Sequence, residues 1–358
     1  MMKYLFILIA GIFLTLSCAS QIRIPNSTKT PVETSDLERS KINEGIALHD
    51  QGQYQEAIKL YEEALAANPD NVWALYEIAF SYSQMGNNDL SLDYALKALE
   101  YNSHLIGEIS ILAANILDNT GKPKQALELY QKAVTYQPDN HMLYYNMGVT
   151  YYGLEKLDEA QANFIKALEL NQTHASSHLA LAQVYMDKGE QIPSMLLLYR
   201  FLILEPKTQR SATAINYLNN VLAAGVERKD DKNVNINIFG LTKGGDSQFH
   251  TIEVFYKLSR ATRYVEKNEG KSEVAYRLLE LNSLLAFMKK DELSENTPFI
   301  EKYLISYFAD LNEADFTDCC LYYTHQLVEN DEIQQWLKEN WPKVREFEKW
   351  DKEYELSI

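Results

Sequence analysis

The sequence predicts an all-α protein, in which about five helix hairpins stack along the chain and a helical C-terminal domain follows them. Three observations support this fold class. Residues of one type return at steps of 34, 35, 34 and 34 positions. Within each step a turn residue precedes a small residue, and a proline often follows. The second half then shows helical spacing of apolar residues. A period of this length is typical of stacked supersecondary units.

Each step contains the local signals of a helix hairpin. A glycine that can adopt positive φ ends the first helix, and a small residue lets the second helix pack closely against it. A proline then stops the second helix. The turn position holds Gly52, Gly86, Gly121, Glu155 and Gly189. The small position holds Ala57, Ser91, Ala126, Ala160 and Ser194, and the prolines are Pro69, Pro138 and Pro206.

The first residues have the pattern of an export signal. Lys3 precedes an apolar run at 4–16, which small residues follow. A membrane-spanning helix needs about 20 apolar residues, more than this run provides. Cys18 comes directly after the run and resembles the lipidation site of bacterial lipoproteins. We therefore expect a signal peptide at 1–18, a lipid anchor on Cys18 and a location at a bacterial membrane. Cleavage after Ser20, giving a soluble periplasmic or secreted protein, is the other interpretation.

A flexible tether is expected at 19–35, because serine, threonine and proline dominate there and little of it could be buried. Ser35 with Glu38 then resembles a capping box at the start of the first helix. The first and fourth hairpins carry the repeated pattern most completely. In the first these positions are Gly45, Leu48, Gly52, Tyr54, Ala57, Tyr61, Ala64 and Pro69. In the fourth they are Tyr144, Gly148, Tyr151, Ala160, Phe164 and Ala167.

These positions resemble the signature of the tetratricopeptide repeat (TPR) family. The resemblance implies that residues 36–208 form a right-handed superhelical solenoid of about five hairpins, whose first helices line a concave groove. The last repeat of a stack needs a cap, and the apolar spacing of 209–227 predicts a capping helix there. Residues 228–247 read as a linker with a short strand-like piece. Residues 248–358 are expected to form a helical C-terminal domain, rich in aromatic residues, for which no family resemblance was found.

Charge and cysteine content limit the classes of function. The formal net charge is −16, which argues against nucleic acid because phosphate binding needs clustered Lys and Arg. The same charge would repel anionic lipid headgroups, so membrane contact is expected only through the anchor. Cys319 and Cys320 are adjacent, and a bridge between neighbours would be strained. We expect both in a helix as free thiols.

Motifs for chemistry are absent from the sequence. His174 and His178 lie one helical turn apart, which could seat a metal, but no third ligand is evident nearby. The glycine-rich stretch at 240–247 lacks the order of a phosphate-binding loop. No GxSxG, HExxH or CxxC pattern occurs. We therefore predict no catalytic residue, no metal and no cofactor, and a protein that is not an enzyme.

The concave groove implied by the family resemblance is the predicted functional site. Aromatic side chains with a polar tip anchor peptides well, and methionine adapts to irregular partners. The predicted partner-groove residues are Trp73, Tyr76, Phe80, Asn115, Met142, Tyr145, Tyr152 and Gln183. For the aromatic ones, packing between neighbouring repeats is an equally good explanation. The carboxylate clamp of some family members is not expected, because Ile42, Ile46 and Glu77 stand in its positions.

These observations predict a protein-interaction scaffold of the bacterial cell envelope, which holds a partner peptide or helix in the groove. A second hypothesis is an accessory subunit, whose C-terminal helical domain binds a ligand or carries an unrecognised activity. Neither the partner nor the oligomeric state follows from the sequence.

Overall fold

The computed structural model describes residues 22–224, 226–228, 234–236, 247–264 and 270–354. The expected signal peptide at 1–18, its lipidation site Cys18 and most of the expected linker at 228–247 lie outside these residues. The expected C-terminal domain at 248–358 lies within them except at 265–269 and 355–358.

The described residues contain 17 α-helices and one small β-hairpin, which confirms the all-α fold class. The first eleven helices are α1 (Asp36–Asp50), α2 (Tyr54–Ala67), α3 (Val72–Gln84), α4 (Asn88–Ala98), α5 (Ile106–Asn119), α6 (Pro123–Tyr136), α7 (His141–Gly153), α8 (Leu157–Leu170), α9 (Ala175–Asp187), α10 (Gln191–Leu204) and α11 (Gln209–Ala223). The last six are α12 (Gln248–Ala261), α13 (Glu273–Ala286), α14 (Phe299–Glu313), α15 (Thr317–Thr324), α16 (Asp331–Glu339) and α17 (Trp341–Glu353). Strands β1 (Val226–Arg228) and β2 (Val234–Ile236) pair antiparallel, with Val226 opposite Ile236.

The chain divides into two compact units, residues 1–129 and residues 130–358, with the boundary inside α6. We call them unit 1 and unit 2 and describe each by itself. Unit 1 contains the hairpins α1–α2 and α3–α4, followed by α5. Unit 2 contains the hairpins α7–α8 and α9–α10, then α11 and the C-terminal helices α12–α17.

Close packing of the two helices in a hairpin depends on a missing side chain. A Cβ atom added to Gly45 of α1 would overlap the ring of Tyr61 on α2. A Cβ added to Gly148 of α7 would lie 2.6 Å from Cδ1 of Phe164 on α8. Both rings are almost completely buried. The rings thus fill the space that glycine leaves open, as the repeat pattern predicts.

The turn inside each hairpin has the left-handed backbone conformation that the sequence predicts. Gly52 has φ +77° and the three other turn glycines have similar values. Glu155 occupies the same position with φ 59°, although a side chain makes this conformation unfavourable by about 1–2 kcal/mol. The phase of the repeat therefore outweighs a local backbone preference at Glu155.

Residues 22–35, the described part of the tether expected at 19–35, are hydrogen-bonded to the rest of unit 1 and are not free. The Ser27 hydroxyl donates a hydrogen bond to the Leu99 carbonyl oxygen at 2.7 Å. The Lys29 backbone N–H donates to the Glu100 carbonyl oxygen, and the Asn102 N–H donates to the Lys29 carbonyl oxygen, at 3.0 and 2.9 Å. Hydrogen bonds, and not apolar burial, hold this segment. The hydrophobicity of its sequence therefore could not predict that it has a fixed position.

In unit 2, α10 is buried on all sides. Its residues from Gln191 to Ile203 are all buried, and it packs against α9, α11, α12, α14 and α15. A helix that is hydrophobic all round is expected in a core, and the sequence QIPSMLLLYRFLIL has that character. The expected capping helix, α11, covers one side of α10. The C-terminal helices cover other sides, so they share a compact unit with the last two hairpins.

Polar groups are also buried where the C-terminal helices meet the hairpins of unit 2. Arg200 of α10 forms an ion pair with Asp351 of α17 at 2.5 Å, and both side chains are nearly inaccessible. Arg200 Nε donates to the hydroxyl of Tyr303 at 3.0 Å, and the Tyr307 hydroxyl donates to Asp351 at 2.6 Å. Cys319 and Cys320 lie on α15 as buried free thiols.

The substitution Glu155→Gly tests the turn geometry. We expect it to raise the free energy of unfolding by about 1 kcal/mol, because glycine adopts positive φ without steric cost. The midpoint of urea denaturation, followed by circular dichroism, measures the change. Ala162→Gly is the matched control: Ala162 is an exposed position inside α8, so glycine there should lower the free energy of unfolding by about 1 kcal/mol. Destabilisation by both substitutions would contradict the assignment.

Candidate functional site

A groove on unit 2 is lined mainly by helices α7, α9 and α11, and α8 contributes one residue. It has a volume of 320 Å³. We call it the unit-2 groove. Its lining residues are Tyr145, Val149 and Tyr152 from α7, Phe164 from α8, Ser176, Leu179, Ala180 and Gln183 from α9, and Arg210, Thr213 and Tyr217 from α11. The structure thus brings together three of the predicted site residues, Tyr145, Tyr152 and Gln183.

Aromatic contacts support the tyrosine in the middle of this groove. The ring of Tyr145 lies 5.9 Å from that of Phe164 and 4.9 Å from that of His174, the latter edge to face. Tyr145 remains partly exposed in this position. Its ring is therefore fixed by its neighbours and still offers apolar surface to a ligand.

Polar groups hold the side chains at one end of the groove. The hydroxyl of Tyr152 donates to Oδ2 of Asp187 at 2.6 Å, and Gln183 Nε2 donates to Oδ1 of the same carboxylate at 3.0 Å. Burial, together with the hydrogen bond to Asp187, raises the pKa of Tyr152 to about 12. Tyr152 therefore keeps its proton at neutral pH and remains a hydrogen-bond donor.

The third helix of the groove contributes residues that sequence reasoning missed. Arg210 of α11 donates from Nη1 to the Ser176 hydroxyl at 3.0 Å and from Nε to Glu205 at 2.9 Å. Tyr217 and Thr213 lie on the same wall. These residues fall outside the 34-residue pattern. The signal that could have found them is the continuation of stacking: a capping helix beside α9 must extend the surface that α9 lines.

Met142 also belongs to unit 2 but does not line the groove. It lies at the start of α7, where its backbone N–H donates to Asn140 Oδ1 at 3.1 Å, and its side chain is half-buried. The other predicted residues, Trp73, Tyr76, Phe80 and Asn115, all belong to unit 1.

In unit 1, aromatic rings form a stack across two helices. The ring of Phe80 lies 6.2 Å from that of Tyr76, with 8° between their planes. The ring of Phe80 also stacks on that of His49 of α1, with 4.8 Å between the ring centroids and 15° between the ring planes. Trp73 lies one helical turn before Glu77, and its Nε1–H donates to Glu77 Oε1 at 3.0 Å. We call Trp73, Tyr76, Glu77, Phe80 and His49 the unit-1 aromatic face.

Trp73 also lines a cavity in unit 1. This cavity of 630 Å³ is bounded by Pro31, Val32, Glu33 and Thr34 of the N-terminal segment and by Arg39, Val72, Ser103, His104 and Leu105. Part of the Trp73 ring therefore faces the chain's own residues 31–34. Asn115 lies on α5, half-buried.

The histidine pair His174 and His178 serves packing. His178 is fully buried on α9, and its Nε2 lies 2.9 Å from the hydroxyl of Tyr303. Burial is the main cause that lowers its pKa to about 3, so the ring is neutral at physiological pH. In the described part of the chain, no group of three His, Cys, Asp or Glu side chains is arranged to hold a metal ion.

No helix within the described ranges combines the length and apolar character that crossing a bilayer requires.

Consecutive antiparallel hairpins with a left-handed turn residue define a helical-repeat protein. Comparison with family models identifies the repeat. One model described as TPR repeat matches residues 45–86 and 115–155, and two models described as tetratricopeptide repeat match residues 74–104 and 142–174. The chain therefore carries tetratricopeptide repeats, as its spacing indicates.

Curated proteins with similar sequences are distant. The TPR repeat-containing protein MJ1428 of Methanocaldococcus jannaschii is 24% identical over 262 residues, which cover 70% of this chain and 44% of that protein. The protein O-mannosyl-transferase TMTC3 of Mus musculus is 26% identical over 162 residues, 41% of this chain and 18% of that protein. The photosystem I assembly protein Ycf3 of Synechococcus elongatus is 28% identical over 115 residues, 28% of this chain and 66% of that protein. The chain spans less than half of the first two.

Solved structures with a similar fold match about half of the chain. The crystal structure of MamA aligns with a TM-score of 0.41 and 18% identity, covering 47% of this chain and 96% of that one. The TPR protein TTC0263 of Thermus thermophilus aligns with a TM-score of 0.42 and 23% identity, covering 52% of this chain and 98% of that one.

Glu77 on the unit-1 aromatic face leads to a prediction about pH. Burial raises the pKa of Glu77; the hydrogen bond from Trp73 opposes this shift in part, and the charge of Asp50 adds to it. The folded state thus binds the proton more tightly than the unfolded state. Ionisation of Glu77 therefore destabilises the folded state as the pH rises above about 4.5. We expect Glu77→Gln to be more stable than wild type at pH 7, and the two to converge towards pH 4.

Urea denaturation at the two pH values measures this difference. Glu38→Gln is the control with the opposite sign. Burial alone would raise the pKa of Glu38, but hydrogen bonds from Ser35, Asn71 and Asn68 outweigh it and lower the pKa. The substitution Glu38→Gln should therefore lower the free energy of unfolding at pH 7, and by a smaller amount as the pH falls. A Glu77→Gln protein that is less stable than wild type at pH 7 would contradict the prediction.

Proposed function

We propose that this chain is a protein-interaction scaffold of the bacterial cell envelope, which holds a partner peptide or helix in the unit-2 groove. The observation that carries the proposal is that the chain's own later helices leave this groove open. Helices α12, α14 and α15 pack on α10, and α14 also packs on α8. None of the residues that line the groove comes from α12–α17.

The chemistry of the groove suits a peptide. Tyr145, Tyr152 and Tyr217 offer apolar ring surface with polar tips, and such residues concentrate binding energy at interfaces. Gln183 and Arg210 add donors for backbone carbonyl groups or side chains. Val149 is 42% exposed at the centre of α7 and lines the groove, so an apolar side chain of a partner can contact it there.

The two cysteines of the C-terminal helices do not have the properties of catalytic thiols. A reactive cysteine needs a lowered pKa and access to solvent. Burial raises the pKa of Cys319 to about 12, and Cys320 is fully buried as well. The name of one distant relative, an assembly protein, is also consistent with a role in holding other proteins.

Site-specific photocrosslinking in the native cell tests the groove. A benzoylphenylalanine at Val149 should form one discrete protein adduct, whereas the same probe at Leu327, equally exposed at 42%, should not. When the probe at Val149 is combined with Tyr145→Ala, the yield of this adduct should fall about tenfold or more, since truncating an aromatic hot spot costs about 2 kcal/mol of binding free energy. Tyr136→Ala, at an exposed tyrosine away from the groove lining, is the matched control. Adducts that arise only from Leu327 would refute this use of the groove.

The proposed envelope location rests on the sequence at 1–20 and on the lipid anchor at Cys18. We expect Cys18→Ser to move the protein from the membrane fraction to the soluble fraction, because a charge of −16 provides no attraction to anionic headgroups. Metabolic labelling with an alkyne fatty acid should mark the wild type and miss the variant. An unlabelled wild-type protein in the soluble fraction would favour the soluble exported form.

A further inference from the structure

The unit-1 aromatic face contains a carboxylate among its rings. Trp73, Tyr76, Glu77 and Phe80 follow one another at i, i+3, i+4 and i+7 along α3. Residues at these spacings share one face of a helix. His49 of α1 continues the face through its stack with Phe80.

The carboxylate of Glu77 has a hydrogen bond but no counter-ion. Its partner is the Trp73 indole N–H at 3.0 Å. Among the described residues, no Lys, Arg or His forms an ion pair with it. The side chain is half-buried, and a carboxylate withdrawn from water without a cation carries a free-energy cost. This cost would be offset if a partner supplied the positive charge.

Charges near Glu77 have the same sign. Burial is the main cause that raises the pKa of Glu77 and of Tyr76, and carboxylates add to it: Asp50 of α1 at Glu77, and Glu77 itself and Glu108 of α5 at Tyr76. Arg39 of α1 lines the cavity bounded by residues 31–34 and forms no ion pair with Glu77. The charges that act on this face are therefore negative, in keeping with the net charge of −16, and they favour a cationic ligand over an anionic one.

The rings beside Glu77 favour the same class of ligand. A Lys ammonium or Arg guanidinium is attracted to the face of a Tyr or Phe ring within about 6 Å. The alkyl stem of either residue can pack on apolar surface while its charged end stays with the carboxylate. Tyr76 and Phe80 lie almost parallel, so they present such surface next to Glu77.

We propose that the unit-1 aromatic face binds a basic side chain, Lys or Arg, of a partner segment. The cation pairs with the Glu77 carboxylate, and its alkyl stem lies along Tyr76 and Phe80. This inference goes beyond the proposed function, because it concerns a separate site in unit 1 and names the charge of the side chain that binds there.

Random peptides displayed on phage test the proposal, with the intact chain as bait. Peptides selected on wild type should share a Lys or Arg beside apolar residues, and selection on Glu77→Gln should lose that preference. The best peptide and an analogue with norleucine for Lys, or citrulline for Arg, are then titrated by fluorescence anisotropy. We expect Kd to rise about tenfold for either single change, with little further rise when both are combined.

Glu56→Gln is the matched control, because Glu56 is an exposed carboxylate on α2 of the first hairpin; it should leave Kd unchanged. Equal losses for the charged and the neutral peptide on Glu77→Gln would overturn the pairing and make Glu77 a structural residue. Peptides that bind without a basic residue, or that respond to Tyr145→Ala alone, would overturn this inference and leave the proposed function standing. Selection of no peptide on wild type would count against both.

Discussion

The close approach of two helices within a hairpin is the constraint on which the rest depends. Gly45 and Gly148 have no side chain, so the rings of Tyr61 and Phe164 on the partner helices can pack directly against the backbone at these positions. Protein cores are close-packed, and an extra methyl group at such a point forces the neighbours apart. The fixed spacing sets the rotation of each first helix. That rotation in turn decides which residues, such as Tyr145 and Tyr152 in unit 2 or Tyr76 and Phe80 in unit 1, point away from their hairpin partner.

Sequence predicted best what depends on local rules. The hairpins, their turns and even the left-handed Glu155 follow from a residue's place in the repeat. Tyr145, Tyr152 and Gln183 share the unit-2 groove because the same slots recur on α7 and α9. Contacts between segments far apart in sequence were not predictable in this way. The hydrogen bonds of Ser27 and Lys29 to the end of α4 have no periodic signal, and Arg210 reaches the groove from a helix outside the repeat.

Buried polar groups tie the hairpins of unit 2 to its C-terminal helices. The Arg200 guanidinium lies 3.8 Å from the centre of the Tyr307 ring while it pairs with Asp351, and Tyr303 bonds to Arg200 and contacts His178. Removing one member of a buried ion pair costs about 3–5 kcal/mol, because the other is left without compensation. An apolar contact tolerates small displacements, whereas this network accepts one arrangement of α10, α14 and α17. The network therefore fixes where these C-terminal helices sit, and none of the described residues of α12–α17 lines the unit-2 groove.

The burial of α10 on every side also limits how this architecture can change in length. Tandem arrays gain and lose members by duplication or deletion of whole modules, and each new module must find a free apolar side on its predecessor. Behind α10 that side is already taken by α11 and by C-terminal helices. A sixth hairpin inserted there would strip cover from residues such as Leu196 and Tyr199, which have almost no solvent exposure. An added or deleted module therefore disturbs less buried surface on the side that precedes α9 than at the end that carries α10.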